Sequence, residues 1–191
     1  MNPTIWLLGI IFLFAAIGFY GYSFWAPLMV KSLTGSNDFG IGVILGAISA
    51  VTIVVMILNS VHSDHTNERP LHVAIALLIS SMGFFGCAVI TQPILAVLFL
   101  ALVPIGHCAS YGPFWSMPSR FLTGAPAAAG IACVVTIANV GGLVGPTVIG
   151  AMKDRYGTHG PAFMLLGGCA VFAALLATGL QRVRVLQTSS H

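Results

Sequence analysis

Residues 114–150 read FWSMPSRFLTGAPAAAGIACVVTIANVGGLVGPTVIG, and the later part of this stretch decides the fold. From 127 to 151 the chain carries no charge, yet it holds Gly130, Gly141, Gly142, Gly145 and Gly150, a proline at Pro146 and an asparagine at Asn139. In water this is a poor helix, because each interior glycine costs about 1 kcal/mol against alanine and an interior proline about 3 kcal/mol. In a bilayer the backbone has no water to turn to. The segment therefore stays helical, and its small residues let neighbouring helices approach closely. Gly141 and Gly145 form a G-x-x-x-G pair, with Gly142 and Pro146 beside them, and all four are read as helix-packing residues.

Composition extends this reading to the whole chain. Of 191 residues, 58% are hydrophobic and 6% charged, and the mean hydropathy is +1.00, whereas a soluble domain has about 25% charged residues. The formal charge of +3 is spread over several loops, so no nucleic-acid surface is expected. Cys87, Cys108, Cys133 and Cys169 fall one per apolar segment without Cys-x-x-Cys spacing and read as small buried side chains, not as metal ligands or disulfides. No metal and no cofactor are expected. The first apolar run is too long for a cleavable signal peptide and no basic residue precedes it, so none is expected.

The pattern predicts an all-α integral membrane protein, a single six-helix membrane domain over 1–191 with spans at about 4–30, 40–61, 71–90, 94–115, 127–151 and 161–181 and a polar C-terminal tail at 182–191. The second span carries Gly40, Gly42, Gly46 and Ala50 at spacings suited to close contact. The polar stretch from Asn59 to Arg69 reads as a tight turn, and the uncharged Gln92 and Pro93 as a hairpin connection.

Polar groups inside the spans are the candidates for chemistry. The first span gathers Phe19, Tyr20, Tyr22, Phe24, Trp25 and Pro27 towards one end. For Trp25 and Pro27 an interfacial aromatic belt explains this equally well; Tyr20 lies deeper. His107, Tyr111 and Trp115 recur every four residues on one helical stripe, with Pro104 and Pro113 expected to bend it. An ionisable side chain at membrane depth is a functional candidate, and a neutral histidine bonded to a neighbouring helix is its plain alternative. Asn139 must find a partner, either another helix or a substrate. An intramembrane enzyme would need paired aspartates, a His-Glu-x-x-His helix or serine with histidine within the membrane; the spans offer a lone His107, so no enzyme is expected.

These motifs carry a resemblance. Phe114 and Trp115, Pro118 three residues on, the small-residue run and the Asn-x-Gly-Gly-x-x-Gly-Pro element at Asn139, Gly141, Gly142, Gly145 and Pro146 resemble the tenth and eleventh helices of the anion:cation symporter family of the major facilitator superfamily. The end of that family's seventh helix, Tyr-Gly-x-x-x-Trp-x-Pro, is matched by Tyr20, Gly21, Trp25 and Pro27. The superfamily's loop signature Gly-x-x-x-Asp-Arg-x-Gly-x-Arg is similar to the stretch with Asp64, Glu68 and Arg69, where His65 follows the aspartate and Asn67 stands for the turn glycine.

The resemblance implies a bundle equivalent to the second half of a major facilitator fold, with nothing corresponding to the first half. It implies a secondary active transporter, a half or fragment, for organic anions such as carboxylates, coupled to protons by alternating access. It implies a substrate surface of Tyr20, Trp25, His107, Tyr111 and Asn139 and a conformational latch of Asp64, Glu68 and Arg69. The implied partners are the lipid bilayer, the organic anion, and either an N-terminal half or a second copy of the chain; the implied location is the bacterial inner membrane with both termini cytoplasmic. Arg69, Arg120, Arg182 and Arg184 on the side of the N-terminus, against Lys31, Lys153 and Arg155 on the other, give a faint positive-inside bias in that direction. A non-transporting membrane interaction protein, or an inactive truncated transporter, is the alternative.

Overall fold

A computed structural model of the chain describes residues 3–118 and 125–188, with side chains over 4–118 and 127–180. Arg120 lies outside the described residues, and Arg182 and Arg184 outside the described side chains. The elements are α1 (Pro3–Thr34), α2 (Asp38–Thr66), α3 (Arg69–Val89), α4 (Pro93–Ala109), α5 (Tyr111–Trp115), α6 (Ala125–Tyr156) and α7 (Gly160–Thr188). Among the described residues there is no strand. Six helical segments, with α4 and α5 forming one of them, are long and apolar enough to cross a bilayer. The protein is an all-helical integral membrane protein.

Local chemistry sets the helix ends. Asn37 caps α2 by accepting from the Gly40 amide at 2.9 Å, and Gln92 caps α4 by accepting from the Leu95 amide at 2.6 Å. Asn67 adopts φ 62°, the left-handed conformation that asparagine tolerates better than most residues, and its amide bonds the Ser63 carbonyl to close α2. The polar stretch from Asn59 was expected to be a turn. Instead α2 continues through it to Thr66, because neither glycine nor proline interrupts the chain and the reversal needs only Asn67 and Glu68. At the other end of the chain, helix α7 runs on to Thr188, through residues read from sequence as tail.

The proline-rich span breaks at one place. Pro113 has no amide hydrogen to give to the carbonyl four residues earlier, that of Ala109, and it is there that α4 ends and α5 begins. Asn59 of α2 supplies the missing donor, its side-chain amide reaching the Ala109 carbonyl at 2.8 Å. Pro104, by contrast, lies within α4 without ending it.

α1 is the hub, packed against α6, α7 and α4, while α3 packs against α7 and α4, and α2 against α4. The α1–α6 contact explains the glycine pair. A Cβ on Gly145 would collide with the Ile17 carbonyl, and one on Gly141 would lie 2.8 Å from the Ile17 amide nitrogen, so only glycine allows these backbones to touch. Two apolar clusters fill the bundle. One joins Leu8, Ile11, Leu77, Phe114 and Val134, and the other Val30, Phe84, Leu100, Ile149 and Leu166. Of the six spans, α2 and α6 are the least covered by their neighbours.

Candidate functional site

The uncovered side of α6 carries Val135, Thr136, Asn139, Val140, Leu143 and Thr147 at helical spacing, and the neighbouring α1 exposes Tyr20, Ser23, Phe24 and Pro27. Where the two helices meet, the Tyr20 hydroxyl lies 3.4 Å from Asn139 Oδ1 and donates to it. Gly142 faces the Tyr20 ring, with space for a methyl group between them. Asn139 thus has a partner on another helix, as an amide in hydrocarbon requires, while both residues stay exposed. The Tyr20 hydroxyl fixes the amide's orientation and leaves its nitrogen free to donate.

His107 and Tyr111 form a second pair, with Nε2 and the hydroxyl 3.1 Å apart. This pair stands behind the open face. His107 is 2% exposed, covered by the Phe19 ring stacked on it at 4.3 Å and by Phe12 at 6.4 Å. Phe12 also meets Tyr111, Phe114 and Trp115, so it is the centre of an aromatic cluster that fills the angle between α1 and the α4–α5 break. Phe19 touches both Tyr20 and His107 and is the physical link between the two pairs. Phe12 was not singled out in the sequence, and Phe19 was read only as one of the aromatics gathered towards one end of the first span; their spacing of two helical turns on α1 is the signal that could have joined them.

Trp25 belongs to a different neighbourhood. Its indole donates to the Pro146 carbonyl at 3.2 Å, the Lys153 ammonium lies 5.1 Å above its ring, and His159 meets it edge-on at 5.7 Å. His159, between α6 and α7, also stacks on Phe163 at 6.0 Å. Burial, and secondarily the Lys153 charge, push its pKa below the ordinary imidazole value. This Lys153–Trp25–His159 group was likewise not anticipated, as its members come from three separate segments.

The expected latch residues gather at the α2–α3 reversal. Arg69 Nη2 pairs with Asp64 Oδ1 at 3.0 Å, and its Nη1 donates to the Ser116 carbonyl just past α5, also at 3.0 Å. One arginine therefore ties together the ends of α2, α3 and α5. Glu68 makes no side-chain cap to α3; its carbonyl serves instead, accepting from the backbone amides of Leu71 and His72. Among the described residues, no group of three histidine, cysteine or acidic side chains is placed to hold a metal ion.

The described residues thus form a six-helix membrane bundle with a close glycine crossing, an arginine-tied reversal between α2 and α3, and a polar pair on an uncovered face. The chain is related to bacterial transporters of the major facilitator type, as its resemblance to the anion:cation symporters implied. It is 35% identical over 92% of its length to a protein of Agrobacterium vitis named as a tartrate transporter. It is 30% identical over 92% of its length to the quinolone resistance transporter of Acinetobacter baumannii, and 28% identical over 92% to the inner membrane transport protein RhmT of Escherichia coli K12. The matched region covers 39%, 40% and 41% of these relatives, so the chain spans about 40% of the length of the curated proteins it matches. No protein-family model matches the chain. These relatives are named as transporters and not as enzymes, and their names cover different cargoes.

Proposed function

We propose that the chain is one six-helix half, the second, of a secondary active transporter for organic anions such as carboxylates. The observation that carries this reading is the Tyr20–Asn139 pair, a hydroxyl and an amide held together across α1 and α6 on an exposed face, in a chain whose relatives are transporters. In such transporters substrate lies between two halves near the bilayer midplane, and access alternates as the halves rock. The uncovered faces of α6 and α2 are where a second half would pack, and the Asn139 amide nitrogen is the donor a carboxylate would meet first. Tyr111 stands behind this surface with His107, and Trp25 lies apart from it beside Lys153 and His159, so its place on the substrate surface is proposed from the resemblance alone. His107, covered by Phe19 and bonded to Tyr111, would meet substrate only after Phe19 moves; the positive charge an anion needs would come from the opposing half or from His107 protonated in that opened state.

Proton coupling is part of the proposal, as are the inner membrane, cytoplasmic termini and an opposing half, or a second copy, as partner. The Asp64–Arg69–Ser116 tie would hold one conformation by linking three helix ends. The test is uptake of labelled dicarboxylates into vesicles by the assembled transporter carrying Tyr20→Phe or Asn139→Ala. Each should lower uptake by about tenfold, the order of one lost hydrogen bond to a charged group. Unchanged uptake in both variants would remove this pair from the substrate surface.

A further inference from the structure

His62 and His72 stand five residues before and five after Asn67, the residue at which α2 gives way to α3. The reversal brings their rings together. His62 Nδ1 lies 2.7 Å from His72 Nε2, with ring centroids 5.0 Å apart. His72 is buried, whereas His62 is exposed. We propose that this pair is a proton-binding site that works as a clasp between α2 and α3, closed while the two rings share at most one added proton and open once both are charged.

The tautomers follow from the geometry. His72 Nδ1 is 3.0 Å from the Glu68 carbonyl, which can only accept, so Nδ1 carries hydrogen. In the neutral ring Nε2 then bears the lone pair, and His62 must donate its Nδ1–H across the 2.7 Å gap. A first proton from solvent enters at His62 Nε2, which the exposed ring offers to water. It leaves the N–H···N bridge in place and makes it charge-assisted. A second proton has only His72 Nε2 to go to. Both facing nitrogens then carry hydrogen and both rings a positive charge, no acceptor remains, and the bridge cannot persist at hydrogen-bond distance.

The surroundings make this bond matter. α2 and α3 touch each other little, and the histidine bridge and the Asp64–Arg69 pair are side-chain links between them. The titratable and charged groups near it are Asp64 and His65 on α2, Glu68 in the reversal and Arg69 on α3. Asp64 is engaged by Arg69. From the other elements packed on α2 and α3, α1 offers Tyr22, Tyr20, which is bonded to Asn139, and Lys31, which is paired with Asp38 at the far end of α2; His107 of α4 and Tyr111 of α5 are bonded to each other, Cys108 of α4 is a thiol, and the described part of α7 offers Cys169. Opening the clasp would release the start of α3 from α2 next to the Arg69 tie, so acid would loosen the same end of the bundle that Arg69 holds together.

Substitution at the exposed partner tests this without disturbing the core. Asparagine places an amide where the His62 Nδ1 edge stands; it donates to neutral His72 through its nitrogen and accepts from charged His72 through its oxygen. His62→Asn should therefore hold the clasp at any pH, and His62→Ala should hold it at none. The measurement is amide hydrogen exchange over 61–73 in the full chain in lipid nanodiscs, at pH 7.5 and pH 5, corrected for intrinsic exchange. In the unsubstituted protein, protection should fall by at least about fivefold on acidification, the order of one net hydrogen bond. His62→Asn should remain protected at both pH values and His62→Ala should be weakly protected at both. Protection in the unsubstituted protein that does not change with pH, or an acid loss that persists undiminished in His62→Asn, would overturn the proposal.

Discussion

Asn59 and Pro113 act on the same backbone oxygen from opposite directions. The proline withholds the amide hydrogen that the Ala109 carbonyl would have received, and the asparagine side chain, 2.8 Å away on another helix, replaces it. The α4–α5 break is thus a satisfied feature and a cross-link between α2 and the span that bears His107 and Tyr111. Asn59→Ala should destabilise the bundle by about 1–2 kcal/mol in detergent unfolding. In a Pro113→Ala background, where the helix can supply its own donor, the same substitution should cost clearly less. Equal costs in both backgrounds would show that the two residues are not coupled.

Gly145 and Gly142 are neighbours on α6 with opposite tolerance. A methyl group on Gly145 meets the Ile17 carbonyl of α1, which cannot move without shifting the helix, whereas one on Gly142 finds the Tyr20 ring at 3.6 Å, an ordinary contact. Gly145→Ala should cost about 1–3 kcal/mol by overpacking, and Gly142→Ala should be near neutral in the same unfolding measurement.

Arg69 should matter more than its acidic partner. Asp64 is 67% exposed in its side chain, so its ion pair alone is worth about 0–1 kcal/mol. Arg69 is 16% exposed in its side chain and also holds the Ser116 carbonyl. Arg69→Gln should lower the thermal midpoint more than Asp64→Asn, and the arginine variant alone should release the end of α5 to faster amide exchange.

His159 gives a pH dependence of definite sign. Its folded-state pKa is depressed, first by burial and then by Lys153. The unfolded chain, with an imidazole near 6.5, therefore binds more protons than the folded one below that value. Its contribution is fully present above about pH 6.5 and is lost as pH falls towards the folded-state pKa. In nuclear magnetic resonance titration, Lys153→Gln should raise the His159 midpoint while leaving it below the ordinary value, because burial is the larger cause. A midpoint unmoved by the substitution would show that Lys153 does not act on this ring.

How much of this was legible in the sequence depends on how local the cause is. The apolar runs and the glycine spacing at Gly141 and Gly145 announce membrane helices and a close crossing, because bilayer thickness and helical period act on consecutive residues. The left-handed backbone of Asn67 was within reach for the same reason. Pairings between spans were not. The Asn59–Ala109 bond, the covering of His107 by Phe12 and Phe19, and the meeting of His62 with His72 depend on which helices lie side by side. The stretch from Asn59 to Arg69 misleads through composition, since polar residues suggest a turn while nothing in them prevents α2 from continuing to Thr66.

The measurement that bears most directly on the transporter reading is uptake of labelled organic anions into proteoliposomes, with and without an inward proton gradient. It would be made for this chain alone and for the chain reconstituted with the first six-helix half of a related transporter. The account predicts gradient-dependent uptake once the open faces of α2 and α6 are covered by that half or by a second copy, and its reduction by about tenfold in Asn139→Ala. Absence of gradient-dependent uptake in every combination, with the helical fold intact, would contradict it.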